Sequence, residues 1–409
     1  MIGSGPECAI RFLAHGWPAG GWASDNVTAE VVPGAQHFFA GCQGGFQIRT
    51  GVLSDAMPLR WLSLNWLLLL VPIAFFLRYR AGTGYEGVLF IVSALALMPL
   101  AGLMGEATEN LAGRLGAGVG GLINATFGNA SELIIGLIAL SKGLTTIVKA
   151  SLIGSILGNL LLVLGMSILV GGLRHHEQRF NRSGARVAGT SLSLASIALL
   201  VPTLFERTIR STERVVVPES LSLVIAGLLL LSYLCTLWFN LRTHQELFGR
   251  RRADQVEWSV VRSFVVLAVS TLFIALMSDF MIGSIEQARE ALHLTETFIG
   301  VIVVAIVGNA AEHSTAILTA AKNDMELSFS IAIGSSQQIA LFVAPVLVFY
   351  SNLIGVPIDL RFSLPQVIAV FVAVIIVFQI TGDGETNWLE GAQLLLVYLV
   401  LAALFFFIP

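Results

Sequence analysis

Charge is scarce in this chain: Asp, Glu, Lys and Arg make up only 12% of its 409 residues, about half the share usual in a soluble globular protein. That composition argues against a water-soluble enzyme. A net charge of −3 leaves no basic excess, and without one there is little counterion release to drive nucleic-acid binding. Cysteine is also rare. Cys8, Cys42 and Cys235 lie far apart with no CxxC spacing, so neither a disulfide framework nor a zinc site is indicated. The catalytic signatures HExxH and GxSxG and the P-loop lysine motif are missing, and GAGVGG at 116–121 does not satisfy GxGxxG. Neither a nucleotide site nor a cofactor is expected.

Residues 1–56 lack an apolar run of spanning length and any helical period, and have neither the basic start nor the cleavage site of a secretory signal. They are expected to be poorly ordered. MPLRWLSLNWLLLLVPIAFFLRYR, from Met57, has the composition of an N-terminal membrane anchor.

What is abundant is hydrophobicity, at 56% of residues with a mean hydropathy of +0.83. Apolar segments long enough for a bilayer core of roughly 30 Å fall at 61–78, 85–105, 117–141, 146–171, 186–204, 219–241, 259–283, 295–320, 328–351, 364–381 and 388–408. Backbone groups at membrane depth must be satisfied inside helices. The expectation is an all-α polytopic membrane protein of about eleven spans. Arg174, Arg179, Arg182 and Arg186, with Arg242 and Arg250–Arg252, fall on the side of the N-terminus. The positive-inside rule then makes that side cytoplasmic, although Arg207, Arg210 and Arg214 oppose it.

An internal repeat is the most informative pattern. GLINATFGNASELIIGLIALSKG at 121–143 parallels GVIVVAIVGNAAEHSTAILTAAKN at 300–323, with 312 − 132 = 180 setting the offset. The same offset pairs Glu106 with Glu286, Gly120 with Gly300, Lys142 with Lys322, and Gly154-Ser155 with Gly334-Ser335. The chain thus reads as an N-terminal segment 1–56, an extra helix within 57–80, a first five-helix repeat 81–241, a charged linker 242–258 and a second repeat 259–409. Five is odd, so the halves insert in opposite orientations, as in many secondary transporters.

Gly121, Ala125, Gly128, Glu132 and Gly136 recur at helical spacing and read as one face of one helix, shared by Asn129; Ala305, Gly308, Glu312 and Ala316 repeat it with Asn309. A lone intramembrane glutamate is as readily a structural hydrogen-bonding residue as a functional one. Its duplication tips the balance, because no basic residue lies in the apolar centre of any span to neutralise the pair. Protons or a cation remain as counter-charges, and the Gly-Asn steps loosen the helices to free carbonyl oxygens of the kind hard ions such as Ca²⁺ prefer.

Ser155, Asn159, Ser335, Ser336, Gln337 and Gln338 extend this constellation, with helix-to-helix hydrogen bonding as the plainer reading for each. Ser155 and Ser335 are expected beside Glu132 and Glu312 respectively. Glu106, Glu109 and Glu286 lie near span ends, where a solvated terminus is the plainer reading and an ion vestibule the functional one. His313 points about 100° away from Glu312 and reads as packing rather than a relay. His175 and His176 read as loop residues.

GLINATFGNASELIIGLIAL, IVGNAAEHSTAI and GSSQQIALFVAPVLV resemble the paired acidic motifs of the Ca²⁺/H⁺ antiporter (cation/proton exchanger) family, across about residues 61–409. The resemblance implies exchange of cytosolic Ca²⁺ for protons, Ca²⁺ binding by Glu132 and Glu312, and one extra helix ahead of two inverted five-helix halves. The related Na⁺/Ca²⁺ exchangers carry proline just before the motif acid, where this chain has Ser131 and Ala311; that favours the proton-coupled branch. The linker, dominated by Arg250–Arg252, resembles the family's acidic linker poorly. Exchange of Na⁺, K⁺ or Mn²⁺ for protons and passive cation conduction stay open, since two carboxylates do not select by charge alone.

Overall fold

The computed structural model describes residues 64–80, 84–212, 219–244 and 257–407. The N-terminal segment 1–56, Met57, the arginines at 207, 210 and 214, and the linker arginines 250–252 lie outside them or have side chains that do. The described chain is helical apart from one two-stranded patch. A 3₁₀ turn at Leu64–Leu69 leads into α1 (Leu70–Arg80), followed by α2 (Glu86–Phe127), α3 (Ala130–Ser141), α4 (Thr145–Leu157) and α5 (Leu164–Arg174). The first half closes with α6 (Arg182–Thr212) and α7 (Glu219–Trp238). The second contains α8 (Val260–Gly283), α9 (Ile285–Leu292), α10 (Glu296–Phe298), α11 (Ala305–Gly308), α12 (Ala310–Ala321), α13 (Met325–Gln338), α14 (Ala344–Leu353), α15 (Leu364–Ile380) and α16 (Trp388–Phe407). Wide π turns at Gly158–Val163 and Ile339–Val343 join α4 to α5 and α13 to α14 without ending either span.

Seven of these helices are long and apolar enough to cross a membrane, eight if the pair bent by 115° between Ile285–Leu292 and Glu296–Gly308 counts as one span, and Ala130–Ser141 and Leu364–Ile380 are shorter apolar helices. The chain is an integral membrane protein. Outward faces are apolar, with Val261, Phe264, Val265 and Leu272 exposed on α8 and Leu396, Leu399 and Val400 on α16, as a lipid-facing surface requires.

Two local expectations are corrected. The interval between the expected spans 85–105 and 117–141 is not a loop: helix continues through it because Ala107, Leu111 and Ala112 bury a helical stripe and proline is absent there. The chain turns back within the helix instead. A Cβ on Gly120 would lie 2.1 Å from the carbonyl oxygen of Ala112, eight residues earlier, where a straight helix keeps about 12 Å; the glycine run permits this bend. The single face from Gly121 to Gly136 is likewise interrupted. α2 ends at Phe127, and Asn129, with φ −111° and ψ 32°, starts a new helix.

The repeat is visible in the backbone. α12 starts and stops 180 residues after α3 (310 − 130 and 321 − 141), and Gly143 and Asn323 both take left-handed φ values, 75° and 64°. The spans 145–174 and 325–353 lie antiparallel, because the loop after each meets the start of the other. At one end Phe180 stacks on Phe329 with centroids 4.8 Å apart, while Glu326 accepts from the Asn181 amide. At the other end Lys149 pairs with Asp359 at 2.5 Å, and Arg361 pairs with the same carboxylate. Burial alone would raise the Asp359 carboxyl, but the hydrogen bond and charge of Lys149, joined by Arg361, hold it below its usual 3.8. β1 (Gln178–Arg179) and β2 (Glu385–Thr386) pair antiparallel beside the aromatic end.

Candidate ion site

Each motif glutamate sits in the first turn of a helix that begins just after a Gly-Asn step: Glu132 in α3, Glu312 in α12. A carboxylate there gains from the unpaired amides and the positive end of the helix dipole. Neither Asn129 nor Asn309 caps its helix with its side chain. Both side chains turn toward the opposite half.

Asn309 donates to the Ser155 hydroxyl at 2.9 Å and to the Ala305 carbonyl at 2.9 Å. Ser335 donates to Asn129 Oδ1 at 2.8 Å, and the Asn129 amide donates to Gln338 Oε1. Asn159 donates to the Ser335 hydroxyl at 2.9 Å and to Asn309 Oδ1 at 3.3 Å. The expected placement of each serine beside its own glutamate is therefore only part of the geometry. Ser155 lines a small cavity of about 10 Å³ together with Glu132, Ser151 and Gly308, and the Ser335 hydroxyl bears on Glu312. The two serines' hydrogen bonds, however, cross between the halves. Crossing follows from the antiparallel spans, which bring the last turn of α4 against α11 and the last turn of α13 against the Gly128–Asn129 break.

Glu132 and Glu312 are electrostatic neighbours, with Glu109 also within range of Glu312. Glu132 leans on the second motif: a Cβ on Gly308 would meet its Cγ at 3.5 Å and its Oε1 at 3.6 Å. Gly128 faces Gln338 in the same way, its Cβ position 3.1 Å from Gln338 Oε1. Ser131 ties the halves directly, donating to the Gly308 carbonyl at 3.1 Å and lying 3.0 Å from Glu132 Oε2. Nothing in the sequence pattern marked Ser131 except its position before the acid. Asn159 Oδ1 and Glu312 Oε2 are buried oxygens with no hydrogen-bond donor. Among the described residues no three His, Cys, Asp or Glu side chains form a metal cluster. Any cation here would meet two carboxylates and a majority of neutral oxygens.

The remaining candidates sit apart. Gln337 donates to the Ala188 carbonyl on α6 at 2.9 Å, and Ser336 bonds back to Ala332. Glu106 is exposed on α2 near Arg262 and Glu257, and Glu286 pairs with Arg289 on the surface of α9. His313 carries a buried Nε2 without a partner, and the His175 ring nitrogen lies 3.4 Å from the Ala321 carbonyl.

Gly154 and Gly300 set how closely the halves approach. A Cβ on Gly154 would lie 2.0 Å from the Val301 carbonyl oxygen, and one on Gly300 would lie 2.5 Å from the Ala150 Cβ.

Two segments in one register, each bringing a glutamate toward the same interior of a bundle of membrane-length apolar helices, define the class: a membrane carrier for small ions. The chain belongs to the sodium/calcium exchanger protein family, whose model matches residues 86–242 and 262–407. It is 44% identical over 362 residues to a Ca²⁺/H⁺ antiporter of Synechocystis sp., covering 84% of this chain and 96% of that one. To the Ca²⁺/H⁺ antiporter ChaA of Bacillus subtilis it is 43% identical, covering 78% and 92%. Among solved structures, native YfkE superposes with a TM-score of 0.73 at 39% identity, covering 84% of this chain and 100% of that one. The H⁺/Ca²⁺ exchanger CAX shares the fold, with a TM-score of 0.65 at 12% identity over 85% and 91%.

Proposed function

We propose that this protein exchanges Ca²⁺ for H⁺ across a bacterial plasma membrane, with its N-terminus in the cytoplasm, by alternating access between two inverted halves. The contact of Glu132 and Ser131 with Gly308 carries the reading, because it joins the two acidic motifs at one interior point. Relatives named as Ca²⁺/H⁺ antiporters support the pair of ions. The bacterial relatives, at 43–45% identity, support the bacterial membrane over the vacuolar one of relatives at 35–38%.

Glu132 and Glu312 hold either Ca²⁺ or protons. Ser155 and Gly308 line the cavity beside Glu132, Gly128, Asn129, Asn309, Ser335 and Gln338 form the hydrogen-bonded surround, and the unpartnered oxygens of Asn159 and Glu312 are acceptors a hard cation can use. Ca²⁺ and protons compete for the same carboxylate oxygens, so loading one releases the other. An empty, doubly charged pair resists crossing the apolar barrier, which couples the two fluxes.

The test is Ca²⁺ uptake into proteoliposomes under an imposed pH gradient. Uptake that stops when the gradient is collapsed, with proton counterflow, supports exchange. Ca²⁺ entry without proton movement would make the protein a channel, and stronger competition by Mn²⁺, Na⁺ or K⁺ than by Ca²⁺ would reassign the cation.

A further inference from the structure

The start of α8 is fastened to α2 by a buried polar joint. Asn110 Oδ1 accepts from the backbone amides of both Glu257 and Trp258 at 3.0 Å, and the Asn110 amide donates to the Glu106 carbonyl at 2.9 Å. One turn further on, Arg114 Nε donates to the Trp258 carbonyl at 2.6 Å. Trp258 is buried, with the Arg262 guanidinium 4.3 Å from its ring centroid. The joint uses every backbone polar group of Trp258, so the chain entering α8 has one position relative to α2.

The far end of α8 is fastened elsewhere. Lys142, just past α3, pairs with the Asp279 carboxylate at 2.7 Å and donates to the Asp279 carbonyl at 2.9 Å. Trp258 and Asp279 are 21 residues apart, which in a helix is about 32 Å. Between the two attachment points on the first half lie the bend of α2 and the Gly128–Asn129 break, from which Glu132 projects. The second half has no such pairing at the matching place, because the position equivalent to Asp279 (279 − 180) is Pro99.

We propose that α8 is a brace across the ion site, holding α2 through Asn110 and Arg114 and α3 through Lys142, so that Asn110 and Lys142 are positioning residues for ion exchange. The brace sets how far the Gly128–Asn129 break opens. Asn110, Arg114 and Lys142 bond to backbone groups and to Asp279 rather than to either glutamate, so loosening the brace changes how fast the halves reorient and leaves ion binding alone. The inference rests on Glu132 and Glu312 being the ion pair, and the two readings fail separately: exchange persisting in Glu132→Gln would sink the pair and leave the variants below interpretable.

The experiment compares Asn110→Ala, which removes the acceptor, with Asn110→Asp, which keeps it, by pH-driven Ca²⁺ uptake in proteoliposomes across a Ca²⁺ titration. Asn110→Ala should lower the maximal rate about tenfold with KM for Ca²⁺ unchanged, and Asn110→Asp should recover most of the rate. A wild-type rate in Asn110→Ala, a loss confined to KM, or an equal loss in both variants would overturn the proposal. If Asn110→Ala does not fold, the exposed pair decides: Lys142→Asp should slow uptake and Lys142→Asp with Asp279→Lys should restore it. A double variant no faster than the single would overturn the brace.

Discussion

Asn309 of the second half donates its side-chain amide to Ser155 of the first at 2.9 Å, although 154 residues separate them. Each motif asparagine is bonded by a serine of the opposite half. Each glutamate therefore starts a helix whose entry is held by the other repeat, so the site exists only while both halves are docked.

That dependence gives the first prediction. Glu132→Gln and Glu312→Gln should each abolish pH-driven Ca²⁺ uptake while leaving a monodisperse protein with the wild-type helix content. Gln matches protonated Glu in size and hydrogen bonding and cannot trade a proton for Ca²⁺. Near-normal uptake by either variant would falsify the assignment.

Ser335→Ala removes the donor to Asn129 Oδ1, on a side chain only 2% exposed. A buried acceptor left unpaired costs about 1–3 kcal/mol. The purified variant should melt several degrees below wild type in detergent, and an unchanged melting temperature would count against the crossed network.

The Lys149–Asp359 pair makes a pH-dependent contribution. The Asp359 carboxyl is held below 3.8 in the folded protein, so its stabilisation is fully present above the ordinary carboxylate range and is lost as pH falls through the lowered value. Asp359→Asn should destabilise at pH 7 by about 1–2 kcal/mol, discounted for partial exposure. The gap to wild type should be the same at pH 7 and pH 5 and close only below about pH 3.8. Thermal melts across that range test the sign; a gap that closes between pH 7 and pH 5 would refute it.

Gly154→Ala and Gly334→Ala, 180 residues apart, should behave differently. A methyl at 154 meets the Val301 carbonyl oxygen at 2.0 Å, whereas at 334 nothing lies within 4 Å. The first variant should lose stability and uptake and the second should retain its fold, as judged by size-exclusion profile and melting temperature.

The membrane class and the 180-residue register that relates α3 to α12 were legible because they depend on hydropathy and on spacing alone. The limits of 146–171, 219–241, 259–283, 328–351, 364–381 and 388–408 were also close, since charged loops and Gly or Pro flank those apolar runs, whereas 117–141 and 295–320 are broken at Asn129 and Asn309. Three features were not legible. The fold-back at Gly120 leaves the helical pattern of α2 intact, so periodicity carries no trace of it. Ser131 acts across the interface, and nothing in its neighbours along the chain reveals what it faces. The Asn110 joint pairs a side chain with backbone amides of residues 147 and 148 positions away, and backbone donors have no sequence signature.

The antiparallel spans are closed by unlike materials: Phe180 on Phe329 at one end, Lys149 with Asp359 and Arg361 at the other. Protonating the Asp359 carboxylate dissolves the ion pairs of one seam and leaves the ring stack of the other untouched. Two seams that repeat one another in position thus respond to different solvents. A deep fall in pH slackens the bundle at the Asp359 end, and the same fall at the Phe180 end leaves its ring stack in place. Sequence symmetry between the halves coexists with a built-in polarity toward the two solutions the protein separates.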